Sequence, residues 1–414
     1  MTIADMTGRR AVITGLGVIA PSGNDADRHW KALFDETTKI GRISLFDPSS
    51  YPVTLAGEVR DFDPDEHVAS RLKVATDRWT WHGLAASQQA LDDSGVDLST
   101  MDPYDAAVAL ASSSGGNEFG QGELQQLWAT ADGAVSVYQS IAWFYAASVG
   151  QVSIRHQLKG QSCVLVSESA GGLDSFAQAS RTIRRGTKVV LAGGTEGPLS
   201  PYALACQLRS GWLSTGTDPE RAYLPFDSAA AGFVPAEGGA VLLVEELDHA
   251  RDRGAEIYGE ILGWGATHDG RASRPGDGGS AEQLVRAMRL ALERSGATAS
   301  DIDVLFPDAL GVPEHDLVEA QAIREVLGDV PVSTQKAQLG RLYQGGAALD
   351  VVTALQAMRY DMLPPVTSQL TDPAPGCELN FVRTPTASRV RLAMVNARGF
   401  DGFNTSLVVG RFSE

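Results

Sequence analysis

The chain has 414 residues, 43% of them hydrophobic, enough to bury the core of two domains or of one large duplicated unit. Lys and Arg number 34 against 51 Asp and Glu, a formal charge of −17. That balance makes nucleic acid and anionic membrane poor partners, and an acidic carrier protein would have to dock on a local basic patch or on a second subunit.

In chain order, RAVITGLGVIAP (residues 10–21) reads as a buried strand running into a turn, and residues 77–95 as a helix closed by glycine. Residues 105–111 form another buried strand. A glycine-rich entry, SSSGG, then leads into a helix ending near Trp128, on which Asn117, Gly120 and Leu124 share one face at i, i+3 and i+7. The apolar run from Ala134 to His156, with Trp143, Phe144 and Tyr145, is too hydrophobic for a solvent-facing helix and reads as core or subunit interface.

Residues 188–192 give a short strand, and residues 198–231 an irregular region. Residues 232–246 and 256–264 are expected to form a strand pair. The second half repeats the logic with a helix at 280–295, a strand at 304–307, a helix at 316–327, a strand near 330–334 and a long helix at 346–359. A hairpin, 389–397 with 405–412, ends the series. Strands alternating with helices in two matching halves argue for a duplicated α/β protein, divided at 1–254 and 255–414 around one shared core.

Three scattered cysteines, Cys163, Cys206 and Cys377, lack metal-ligand spacing and read as reduced, mostly buried thiols. No metal or cofactor is expected. Residues 1–10 carry no apolar leader, and the longest apolar run, Ile141–Ala147, falls short of the roughly 20 residues of a membrane span. A cytoplasmic protein is expected.

The stretch LVSESAGGLD, residues 165–174, combines a β-prone run, small residues and a helical pattern reaching about Arg184. A strand, a tight turn and a helix place Ser169 at a helix N-terminus, where a nucleophile or oxyanion is stabilised. One reading is a serine hydrolase elbow, since ESAGG is close to the GESAGG of carboxylesterases. Against it, no HGGG-like loop precedes the serine, and its base would have to be a downstream histidine such as His268 or His315.

A longer resemblance covers the whole chain. RAVITGLGVIAPSGND, PFDSAAAGFVPAEGGAVLLVEE, DLVEAQAIREVLGD and the closing GFDGFN occur in the order seen in β-ketoacyl synthases, whose thiolase-like fold stacks duplicated halves as αβαβα layers. That resemblance implies a Cys, His, Lys and His set in an active condensing enzyme: a thiolate that carries the acyl chain and two imidazoles that bind the developing enolate. Here Ser169, Asp308, Lys336 and Arg341 fall at those places. A serine without a base is a poor nucleophile, a carboxylate repels an enolate, and an arginine exchanges no proton near neutrality. Decarboxylative condensation by this subunit alone is therefore not expected. Asp308 and Arg341 are instead expected to meet as an ion pair, with Lys336 nearby.

YQSIAWFYAASVGQVSIRHQLKG, DPERAYLPFD and GRLYQGGAALDVVTAL resemble the chain-length factor, or ketosynthase β subunit, of type II polyketide synthases. Most such subunits carry Gln where this chain has Ser169. The resemblance implies a heterodimer with a catalytic ketosynthase, and an acyl carrier protein that docks mainly through that partner. The growing poly-β-ketone would enter a tunnel lined by Asn117, Gly120 and Leu124, with Tyr138, Trp143, Phe144 and Tyr145 at the interface. An amide, a bare backbone and a leucine in place of bulky aromatics imply a product longer than an octaketide. The alternative is an active condensing, acyl-transfer or hydrolytic enzyme that uses Ser169.

Overall fold

A computed structural model describes residues 8–129, 133–271 and 276–413. The first seven residues, part of the segment read as lacking a leader, lie outside the described residues. Eleven strands form one sheet: β1 Ala11–Ile19, β2 Ala106–Ala111, β3 Ser162–Leu165, β4 Val189–Glu196, β5 Gly238–Glu246, β6 Gly259–His268, β7 Val304–Phe306, β8 Pro331–Val332, β9 Asn380–Phe381, β10 Leu392–Gly399 and β11 Phe403–Gly410. Their order is β9-β8-β7-β10-β11-β6-β1-β5-β4-β2-β3. The helices that matter here are α1 Arg78–Ser94, α2 Asn117–Ala129, α3 Gln139–Ala142, α4 Ala147–His156, α5 Ala170–Arg184, α6 Ala281–Ser295, α7 Pro313–Leu327 and α8 Gln344–Tyr360.

The duplication is visible in strand order and sense. The run β1-β5-β4-β2-β3 has antiparallel, antiparallel, parallel and parallel neighbours, and β6-β11-β10-β7-β8 repeats that series. The two sets join where β1 pairs with β6 through Val12 and Glu260. Helices α5 and α8 follow corresponding strands, touch each other, and pack against strands of both sets. Phe176, Ile183, Leu349, Val352 and Leu355 on these helices belong to one buried cluster with Ile13, Leu242, Val395 and Leu407.

The outer helices α1 and α6 lie against β1 and β6 in the same way. A Cβ at Gly15 or Gly17 of β1 would sit 2.0 or 1.9 Å from the carbonyl oxygens of Ala90 and Ala86. At Gly263 and Gly265 of β6 it would sit 2.2 and 1.9 Å from those of Ala291 and Ala287. The Gly-x-Gly pairs in ITGLGVI and ILGWGAT thus mark the same helix-on-strand crossing in both halves, where the backbones approach too closely for a side chain.

Several expectations need correction. The segments at 238–246 and 259–268 are not paired with each other, because β1 lies between them and pairs with both. β4 runs on through Gly193, Gly194 and Thr195 to Glu196, and its glycines allow close approach on both sides: a Cβ at Gly193 would lie 2.2 Å from the Ala240 carbonyl oxygen of β5 and one at Gly194 2.9 Å from that of Ala111 of β2. The supposedly irregular region contains a helix, Pro201–Leu208, capped by Ser200. The apolar run of residues 134–156 is two helices, α3 and α4, with Trp143 and Phe144 exposed between them. Of the three cysteines, only Cys377 is buried; Cys163 is partly covered and Cys206 exposed. No helix among the described residues is long and apolar enough to cross a membrane.

Candidate functional site

β3 ends one turn before Ser169, and the reversal into α5 is made at Glu168, whose φ of +49° is rare for a residue with a side chain. Ser169 is 2% exposed. Its hydroxyl donates to Glu168 Oε1 at 3.0 Å and accepts from Arg341 Nη2 at 2.8 Å. Asp308 follows β7, and its backbone N–H, with that of Ala309, donates to the carboxylate of Glu319 on α7 at 2.8 and 2.9 Å. Gly340, at φ +92°, turns the chain after the short helix Lys336–Leu339 and presents Arg341.

These turns bring three of the four expected positions into direct contact. Arg341 Nη1 lies 3.1 Å from Asp308 Oδ2, Nη2 lies 3.3 Å from Oδ1, and Nη2 also donates to the Arg398 carbonyl at 3.0 Å. Asp308 accepts a further bond from the Arg398 N–H at 3.0 Å. Burial works against the Asp308 charge, but Arg341, Lys336 and the Arg398 N–H outweigh it and hold the carboxyl below its usual range. Burial likewise opposes the Arg341 charge, and Asp308 and Glu168 overcome it, so the guanidinium is held more firmly protonated than usual.

Lys336 is adjacent but not part of that pair. Its ammonium bonds the Asp350 carboxylate of α8 and the Pro307 carbonyl, the latter at 2.7 Å. Asp350, Glu168 and Arg398 are site residues that no motif singled out. A buried lysine requires a nearby carboxylate, which is the one clue that could have pointed to Asp350.

A cavity of about 390 Å³ opens on the other side of this network. Glu168 and Arg341 line it together with Trp212, Phe233, His315 and Phe400. Glu168 Oε2 accepts the Phe400 N–H at 2.9 Å and so ties the 399–404 loop to the elbow. His315 is packed edge-on against Trp212, and burial, then Arg398, push its pKa down to about 3. It stays neutral and makes no bond to Ser169. His268 accepts from the Gly270 N–H instead. Among the described residues no group of His, Cys, Asp and Glu could hold a metal ion.

Asn117, Gly120 and Leu124 lie on one face of α2, which packs against α3 and the helix Pro201–Leu208 rather than against Ser169. Gly120 is buried and Leu124 exposed. Tyr138, Trp143 and Phe144 are exposed beside them, and Tyr145 is partly so.

A duplicated sheet around two central helices, with an elbow, an acid and an arginine meeting at the end of one of them, defines a condensing-enzyme architecture without its thiol and imidazoles. The chain belongs to the β-ketoacyl synthase family: residues 8–250 match the β-ketoacyl synthase N-terminal domain and residues 258–369 its C-terminal domain. It is 48% identical over 405 residues to the tetracenomycin polyketide synthase ketoacyl synthase beta subunit of Streptomyces glaucescens, covering 97% of this chain and 98% of that one. It is 45% identical to the actinorhodin polyketide putative beta-ketoacyl synthase 2 of Streptomyces coelicolor, covering 97% and 98%. The ishigamide ketosynthase/chain length factor structure superposes with a TM-score of 0.89 at 26% identity, over 98% of this chain and 100% of that one.

Proposed function

We propose that this chain is the non-catalytic, chain-length-determining subunit of a type II polyketide synthase. It pairs with a catalytic ketosynthase, which receives the acyl carrier protein, and lines the tunnel into which the poly-β-ketone grows. The carrying observation is the buried Asp308–Arg341 pair closed onto Ser169. It fills the place of two enolate-binding imidazoles with a fixed carboxylate and a fixed guanidinium, neither able to relay a proton.

The partner interface is assigned to Tyr138, Trp143, Phe144 and Tyr145. Tyr138, Trp143 and Phe144 are large and exposed, and such an aromatic patch favours burial by a second chain. The wall is assigned to Asn117, Gly120 and Leu124, the division at 1–254 and 255–414 follows the duplicated strand order, and the protein is placed in the cytoplasm.

A second reading has one observation in its favour: Glu168 Oε1 is within hydrogen-bond reach of the Ser169 hydroxyl, as a base would be. Arg341 bonded to that hydroxyl works against it. Mass spectrometry of malonyl-loaded carrier protein with this chain, alone and with its ketosynthase partner, separates the two. Long polyketides from the pair and no turnover by the isolated chain are expected; condensation by the isolated chain through acylated Ser169 overturns the proposal.

A further inference from the structure

Gly120 is not an empty slot in the wall. A Cβ there would lie 2.9 Å from Cδ1 of Trp143 and 3.6 Å from Nε2 of Gln139, so the indole already occupies the space a side chain at 120 would need. Two more glycines of the same motif serve the same neighbour. A Cβ at Gly115 would come within 2.3 Å of the Trp143 carbonyl oxygen, and one at Gly116 within 2.0 Å of that of Ala142. The Gly116 N–H donates to the Trp143 carbonyl at 3.2 Å, and the Trp143 N–H to that of Gln139 at 3.2 Å. The root of the indole is thus fixed by backbone contacts on both sides.

We propose that Trp143 is a specificity-determining residue for chain length, its indole seated on Gly120 and standing in the wall between Asn117 and Leu124. The proposal rests on the reading of this chain as a length-setting subunit. Asn117, Gly120 and Leu124 follow one another along a single face of α2, so whatever covers Gly120 stands in line with the other two side chains. Trp143 is 49% exposed and Leu124 42%, so both keep open surface beside that face. A rigid aromatic anchored at its backbone is a firm stop, because close-packed walls yield little until a side chain is removed. The glycine that reads in the sequence as room for a longer product is the seat that lets a bulkier group into the wall.

The test reconstitutes the complex with its catalytic ketosynthase and malonyl-loaded carrier protein, and reads product length by mass spectrometry and assembly by size-exclusion chromatography. Trp143→Ala in an assembled heterodimer is expected to shift products longer by at least one two-carbon unit, with Trp143→Phe between it and the wild type. Unchanged or shorter products from an assembled Trp143→Ala complex overturn the assignment. If Trp143→Ala fails to assemble, Trp143→Phe and Gly120→Ala decide. Gly120→Ala pushes the indole outward and is expected to shorten the product, and wild-type lengths from both overturn the assignment. Leu124→Phe separates the two levels of inference. Shortening by Leu124→Phe with no response at 143 or 120 removes Trp143 alone, whereas no response at any of the three removes the length-setting reading itself.

Discussion

Arg341 and Asp308, 33 residues apart in sequence, face each other at 3.1 Å in a site where both are buried, and the same guanidinium donates to Ser169. Such a pair has lost the hydration of both charges, and its Coulomb attraction does little more than restore it. Removing one partner therefore differs sharply from removing both. Arg341→Ala strands the Asp308 carboxylate and should cost about 3–5 kcal/mol. Asp308→Leu combined with Arg341→Met should cost less than either single change. Denaturant midpoints for the wild type, the two single variants and the double variant check it, and additive losses would mean that the two side chains are not energetically coupled.

The nucleophile position gives a second prediction. Ser169→Ala removes a hydroxyl that accepts from Arg341 and donates to Glu168, so a stability loss of about 1 kcal/mol is expected. Product length and yield from the assembled synthase should be unaffected. Ser169→Cys should not make the isolated chain a condensing enzyme, since neutral His315 makes no bond to residue 169 and Asp308 stays ionised. Condensation by that variant, read by mass spectrometry, would mean that a thiol suffices.

Much of the fold was legible because its signals are local. β1, α1, α5 and α6 follow from apolar periodicity and glycine stops, and the structure places each within a residue or two of the expected bounds. The terminal hairpin was legible too, since β10 and β11 pair as expected, but the other strand pairings were not. β5 and β6 are separated by only 12 residues and read as partners, yet long-range packing inserts β1 between them. In the site, Ser169, Asp308 and Arg341 were found through family position. Asp350 and Arg398 were not, because the charge balance of a buried cluster is set by segments distant in sequence.

The α2 face gives a third prediction. Leu124→Phe adds volume at an exposed position and should shorten the product of the assembled synthase by about one two-carbon unit. Gly120→Phe should also shorten it, but must first expel the Trp143 indole, so a loss of assembly or stability is expected with it. Comparing thermal midpoints and product masses for the two variants distinguishes the clean wall change from the clashing one.

The last prediction concerns pH. Burial pushes the carboxyls of Asp77, Glu196, Glu237 and Glu319 up to about 7 and that of Asp316 up to about 8. Each ionises in the unfolded chain near its ordinary value, about 4, while the folded protein still holds the proton. Between those two values the folded state binds more protons, and stability falls as pH rises. His29, His82, His156 and His315 act in the opposite direction: burial lowers His156 to about 4 and the others to about 3, so their contribution is complete above about 6.5 and is lost as pH falls toward those values. Five carboxyls outweigh four imidazoles where the windows overlap, and above about 6.5 the carboxyls act alone. The melting temperature should therefore decline from about pH 5 to about pH 8. Glu196 accepts from the N–H of Ser113 and from Gln344, beneath the loop that leads into α2. Glu196→Gln removes one titrating carboxyl and should flatten the decline by a few kcal/mol at most, at about 1.4 kcal/mol per pKa unit. Thermal melts of both proteins across that range test the sign, and a profile that rises with pH would mean that these carboxyls ionise freely in the folded chain.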